Sequence, residues 1–497
     1  MLESLKDKTG AAKLQHPVVI TALVVVTIIL GFIIGKGGMK VAIALLFLVP
    51  LIFYLNRLFV HPVLGIYSIM FAAFTAIGLT RYIRGVPLGL SVDALMVLTI
   101  VAVFFRNFYD KIDFSLLNRD IVYLLIIWFA YSVLEFFNPQ ALSHTAWFYA
   151  MRGVSLYPLL LVPLSLLIFN RLRHLYGFLI FWAVFSLLAT LKGLQQKYIG
   201  LDYAEQYWLN TVGYITHVIN GKLRIFSFFS DAGQFGAAQG AAGIVFAGIA
   251  SALKGWKNKI FFWFVSLMSF WGMMLSGTRG AMIVPVLGGI TFVILSKRTR
   301  VMILGGITIA ILYVFFAYTY IGNSSYTIAR MRTAFHPEKD ASYQVRLKNR
   351  KILQAYLANK PFGGGIGSAG NWGQRFSPQG FLANVATDSW YVQIWAEQGR
   401  VGLILHLFIL MYIVFKSFYL IMARVKIKEL SNVLGALLGG YLGIIGAAYG
   451  NGVLGQMPTG VLLYISWAFM FSAQQLEREY NARLAQGISP WSFAPRD

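Results

Sequence analysis

The chain has no cysteine. Disulfides, thiolate metal ligands and thiol nucleophiles are therefore excluded. Charge is also scarce: Asp, Glu, Lys and Arg are 12% of the 497 residues, against roughly a quarter in an ordinary soluble domain. That scarcity excludes a large soluble core. Acids are the rarest class, with 18 Asp and Glu against 42 Lys and Arg, for a net charge of +24. There is no internal repeat, low-complexity tail or polar segment long enough to fold as a separate soluble domain. His144 and His217 are isolated, with no second ligand at metal-binding spacing, so no metal is assigned.

What the sequence has is apolar length, 58% hydrophobic residues in runs that recur from Pro17 to the C-terminal region. A span needs about 20 apolar residues. The runs predict an all-α polytopic membrane protein, a single integral membrane domain over 1–497 with about 12–14 transmembrane helices. The expected spans are 17–35, 39–55, 59–79, 91–105, 121–137, 151–169, 175–192, 233–253, 260–275, 280–296, 301–321, 389–415, 431–450 and 458–475. The first run ends in "KGGMK" without a small-residue cleavage pattern, which reads as a retained span.

In a membrane protein, basic residues collect in cytoplasmic loops, so the net charge does not point to nucleic acid. "KGWKNK" (254–259), "KRTR" (297–300), "KSFYLIMARVKIK" (416–428), "RNFYDK" (106–111) and "RLR" (171–173) all fall on one side of the expected spans. That side is expected to be cytoplasmic, with both termini, and two long loops then face outward, 193–232 and 322–388. The larger holds nine Lys or Arg against three acids. It reads as a site for an anionic partner or as a solvated basic surface. Within it "SYQVRLKNRKILQAYLANKP" predicts an amphipathic helix, with Val345, Leu347, Ile352, Leu353, Tyr356 and Leu357 sharing an apolar face. In the smaller loop, Asn220-Gly221 between β-prone runs predicts a hairpin.

Three stretches at the outer ends of spans carry the candidate chemistry: "RIFSFFSDAGQFG" (224–236), "SGTRGA" (276–281) and "ATDSWYVQIWAEQGRVG" (386–402). Arg279 is confined to a turn of a few residues between two apolar runs. A central arginine costs about 2.5–3.5 kcal/mol on insertion scales. Snorkelling to lipid headgroups is one reading. A planar guanidinium among Ser276, Gly277, Thr278 and Gly280, where a span begins, suits a phosphate or diphosphate. Arg81, Arg84, Arg152, Arg224 and Arg346 join it as outward arginines with few local carboxylates, which suggests one shared phosphate site.

"SGTRGA" resembles the Ser-x-Ser-Arg-Gly-Ala signature of the O-antigen ligase and O-antigen polymerase superfamily. "RIFSFFSDAGQFG" is similar to that family's Arg-led stretch. Arg346, "PFGGGIGS" and "DSWYVQIWAEQGRVG" follow in the family's order. The resemblance covers roughly 224–402. Two positions depart from it. Asp388 and Ser389 stand where the ligase branch carries His-Asn, and "SDAG" keeps only Asp231 of an Asp-Pro-Asn stretch. The polymerase branch fits these departures better.

The resemblance implies a GT-C-like fold, with a cavity opening to the periplasm at the bacterial inner membrane. It implies polymerisation of undecaprenyl-diphosphate-linked repeat units, by inversion and with neither metal nor cofactor. A ligase passing the glycan to another acceptor, or a flippase of lipid-linked sugars, is the alternative. The expected partners are the donor lipid, a glycan acceptor and membrane lipids, with no nucleic acid. Arg279, Arg224 and Arg346 would hold the diphosphate. Asp388 would be the base, or a helix N-cap. Asp231 would serve the substrate or cap its helix. Glu397 would handle a proton or the acceptor, or pair with Arg400 at helical spacing. Trp372, Trp390, Tyr391 and Trp395 would offer ring platforms for sugars, or form an interfacial belt.

Overall fold

A computed structural model describes residues 17–219, 221–296, 299–335 and 341–492. The chain is an all-α polytopic membrane protein. Eight helices among the described residues are long and apolar enough to cross a membrane, and five shorter apolar helices accompany them. Helix covers each of the expected spans. Those at 17–35 and 39–55 share the helix Pro17–Val60, which breaks at Gly38.

Composition sorts the helices into a centre and a rim. Ala232–Ala252 and Lys428–Ala447 are 83% buried over their apolar windows, whereas Leu90–Asn107 is 28% buried. The central pair is rich in glycine and alanine, which lets backbones approach closely where lipid supplies no hydrophobic drive. A Cβ at Gly288 would stand 2.8 Å from the Gly439 carbonyl oxygen, and one at Gly439 equally close to Gly288. The helices Ile283–Leu295 and Lys428–Ala447 therefore touch through their main chains. On the rim, Ile303, Leu304, Ile307 and Ile311 of Thr299–Tyr318 stay exposed, as lipid-facing side chains do.

At one end of the bundle lies an amphipathic helix, Ala473–Ala485, which begins within the last expected span, 458–475. Its carboxylates supply caps that other helices lack. Glu477 accepts the amides of Lys426 (2.6 Å) and Ile427 (2.8 Å), and Glu479 accepts that of Leu172 (2.9 Å). These amides begin the helices Lys428–Ala447 and Leu172–Tyr198.

The other end carries the long loops. The hairpin forms, with Val218 opposite Leu223 and Ile219 opposite Lys222, though Asn220 lies outside the described residues. The amphipathic helix is Ala341–Tyr356. Leu353 is buried against Ala369, Leu382 and Ala396, with Tyr356 packed beside them. Val345 and Ile352 remain exposed. The packed face is thus narrower than the sequence pattern suggested.

The Pro361–Ser368 loop settles onto a break in the helix Trp390–Tyr419 at Gly399 (φ 66°, ψ −164°). The break frees carbonyls that the loop amides then satisfy. Gly364 donates to Ala396 O (2.9 Å) and Gly365 to Glu397 O (2.8 Å). Val401 N donates in return to Pro361 O (3.2 Å). A Cβ at Gly399 would lie 1.9 Å from Pro361 O, so only glycine serves there.

Candidate active site

A cavity of about 2730 Å³ opens among these loops. Its lining joins the three stretches singled out from the sequence to a fourth, Tyr449–Met457, which the sequence reading passed over.

The turn Ser276–Arg279 is built from its own hydroxyls. Ser276 donates to Met273 O (2.7 Å) and accepts the Thr278 amide (3.1 Å). Thr278 Oγ1 donates to Ala232 O (2.9 Å) and accepts Arg224 Nη2 (2.8 Å). One hydroxyl therefore fixes the Arg224 guanidinium beside Arg279. Arg279 Nη1 donates to Thr333 Oγ1 (3.1 Å), and Arg330 Nε to Gly277 O (2.8 Å). Ser276 and Thr278 thus orient the turn and its arginines. Burial lowers the affinity of Arg224 for its proton, and the positive charges of Arg330, Arg279 and Arg346 lower it further, against Asp231. An anionic ligand would relieve this positive field.

Asp231 is the N-cap of Ala232–Ala252, accepting the Gln234 amide (2.9 Å). Ser230 Oγ is within 3.0 Å of both its carboxylate and Gln456 Oε1. Asn451 lies close by. A Cβ at Gly280 would stand 2.4 Å from its Nδ2, and one at Gly233 would stand 3.0 Å from its Oδ1. Asn451 O also accepts the Trp390 amide (3.4 Å). Asn451 therefore joins all three stretches. Its only sequence signal is an amide residue in a glycine-rich turn, "YGNG", between two apolar runs.

Arg346 Nε donates to Asp388 Oδ2 (3.2 Å), both at the cavity wall. Asp388 caps no helix, because the N-cap of Trp390–Tyr419 is Ser389. Arg350 donates to the Tyr449 hydroxyl (2.6 Å). Arg152 also lines the cavity, with its charge held by Asp93 (2.8 Å). Trp390 lines it with its indole N–H donated to His406 (2.9 Å).

The remaining candidates lie outside the cavity lining. Arg81 is buried, donates to the Ser227 (2.7 Å) and Phe229 carbonyls, and lies over the Trp208 and Phe226 rings. Arg84 is exposed over Tyr207. Tyr391 donates to Ile445 O (2.8 Å). Glu397 is fully buried and accepts the Ala369 amide (3.2 Å). It makes no ion pair with Arg400, which is exposed, because the break at Gly399 destroys the helical register between them.

Below the arginines the cavity continues as an apolar groove, lined by Ile244, Phe270, Met274, Val286, Ile290 and Leu312 from four neighbouring helices. Cationic and lipid-compatible walls thus share one cavity. No curated protein matches the chain. Residues 264–407 match the family model described as O-antigen ligase, which supports the resemblance to the O-antigen ligase and polymerase superfamily.

Proposed function

We propose that the protein transfers a glycan from a polyprenyl-diphosphate carrier to a hydroxyl acceptor, and that it extends a polysaccharide by joining lipid-linked repeat units. The observation that carries this reading is the junction of the Arg224–Arg279 pair with the apolar groove. One amphiphile with an anionic head and an isoprenoid tail suits both. The O-antigen ligase match supports transfer of a lipid-linked glycan in general. The substitutions at Asp388 and Ser389 favour polymerisation over ligation.

In this reading the acceptor hydroxyl attacks the anomeric carbon as the bond to the diphosphate oxygen breaks, with inversion. Arg224, Arg279 and Arg346 stabilise the charge gathering on the departing diphosphate. Asp388, on the cavity wall, takes the hydroxyl proton. The fold would be of the GT-C type, in a bacterial inner membrane. The basic loops support a cavity on the periplasmic side and both termini in the cytoplasm.

Reconstitution with a lipid-linked repeat unit tests it. A ladder of lipid-linked oligomers is expected. Unchanged monomer would reject polymerisation, and transfer only to a different acceptor would establish the ligase instead.

A further inference from the structure

A second part of the cavity is built differently from the arginine turn. The Tyr149 ring stacks over Trp372 (5.0 Å, 18°) and Phe376 (5.4 Å, 10°). Trp372 and Phe376 lie one helical turn apart, nearly parallel, with centroids 6.1 Å apart. A cation flanks the triad on each side. The Arg152 guanidinium is 5.0 Å from the Tyr149 ring centre, and that of Arg375 is 5.2 Å from Phe376. Tyr149, Trp372, Arg152 and Arg375 all line the cavity, and so do the amide-bearing residues Asn371 and Gln374. The two cations are not equivalent. Asp93 neutralises Arg152, whereas Arg375 has no carboxylate partner among the described residues.

We propose that this is a subsite for an acidic sugar ring of the transferred or accepting glycan. The ring surface left uncovered in the triad takes the C–H surface of a pyranose, the amides take hydroxyls, and Arg375 takes a carboxylate in its planar fork. A second lipid diphosphate fits less well, since its head has no apolar face to stack. The charge balance agrees. Seven arginines line the cavity against Asp231, Asp388 and, behind Arg152, Asp93. A carrier diphosphate esterified at both ends brings one charge per phosphate and leaves cations to be matched. The inference rests on the glycosyl-transfer reading for its sugar substrate and adds the charge of that sugar.

The test is calorimetric binding of a short oligogalacturonate and of its fully methyl-esterified form to the full chain in nanodiscs. The rings are alike and only the charge differs. The acid is expected to bind about tenfold tighter than the ester. Arg375→Gln is expected to erase that preference while leaving affinity for the ester in place, and Trp372→Ala to weaken both. Equal affinities, or a preference that survives Arg375→Gln, would overturn the proposal. Donor turnover in the same preparations separates the two readings. Turnover without an acid preference sinks the subsite alone. An acid preference without turnover sinks the transferase alone.

Discussion

Arg224 and Thr278, 54 residues apart in the chain, meet at 2.8 Å, and Thr278 is the residue before Arg279. A single hydroxyl thus sets the spacing of two guanidiniums at the cavity mouth. Thr278→Val keeps the shape and removes both the acceptor for Arg224 and the donor to Ala232. Transfer is expected to fall about tenfold or more, mainly in kcat, with normal membrane insertion. Thr278→Ser should restore most of it. Steady-state rates on lipid-linked donor decide the matter, and an unimpaired valine variant would show that the hydroxyl does not set the site.

Arg81 is expected to matter for folding and not for substrate. Its removal leaves the Phe229 carbonyl without its donor, takes one of two donors from the Ser227 carbonyl, and strips a cation from two rings. Arg81→Gln should cost about 2–4 kcal/mol of stability, read as a lower unfolding temperature in detergent. The surviving protein should keep its KM for donor. A raised KM at unchanged stability would return Arg81 to the substrate site.

Gly399 should tolerate no side chain. Alanine there meets Pro361 O and sits at positive φ. Gly399→Ala is expected to lose on the order of 3 kcal/mol or more and to yield little folded protein. Expression and size-exclusion profiles measure this directly.

His217 predicts a pH response in the loop that carries Arg224. Burial pushes its imidazole down from 6.5 to about 4, with Asp231 opposing and Arg224 and Arg81 assisting. The imidazole is buried, with Nδ1 within 3.0 Å of Gly213 O. The unfolded chain therefore takes up a proton first as pH falls. Stability should be full above pH 6.5 and drain away between 6.5 and about 4, by up to about 3 kcal/mol. Unfolding temperatures against pH should show this loss, and His217→Gln should flatten it. A wild-type curve that rises on acidification would contradict the assignment.

Apolar length made the helices legible, because a lipid-exposed run has few other fates. The arginine turn was legible because a charge between two such runs has few reasons to be there. Four features were not. The Glu397–Arg400 spacing looked helical, but a glycine breaks the register between them. Asn451 has no charge to mark it, and its role comes from packing against Gly233 and Gly280, far away in the chain. The Ala473–Ala485 helix is too polar for a span, and it acts by capping other helices through Glu477 and Glu479. Arg81 looked like its fellow arginines because sequence records charge and not the carbonyls that absorb it.

The most direct measurement is the affinity of the purified protein for a short-chain prenyl diphosphate, in wild type and in Arg279→Gln and Arg224→Gln. Charge-assisted contacts to a diphosphate predict that each substitution weakens binding about tenfold or more, with the corresponding prenyl alcohol unaffected. Diphosphate affinities within about twofold of wild type in both variants would mean that these guanidiniums do not hold the carrier's head.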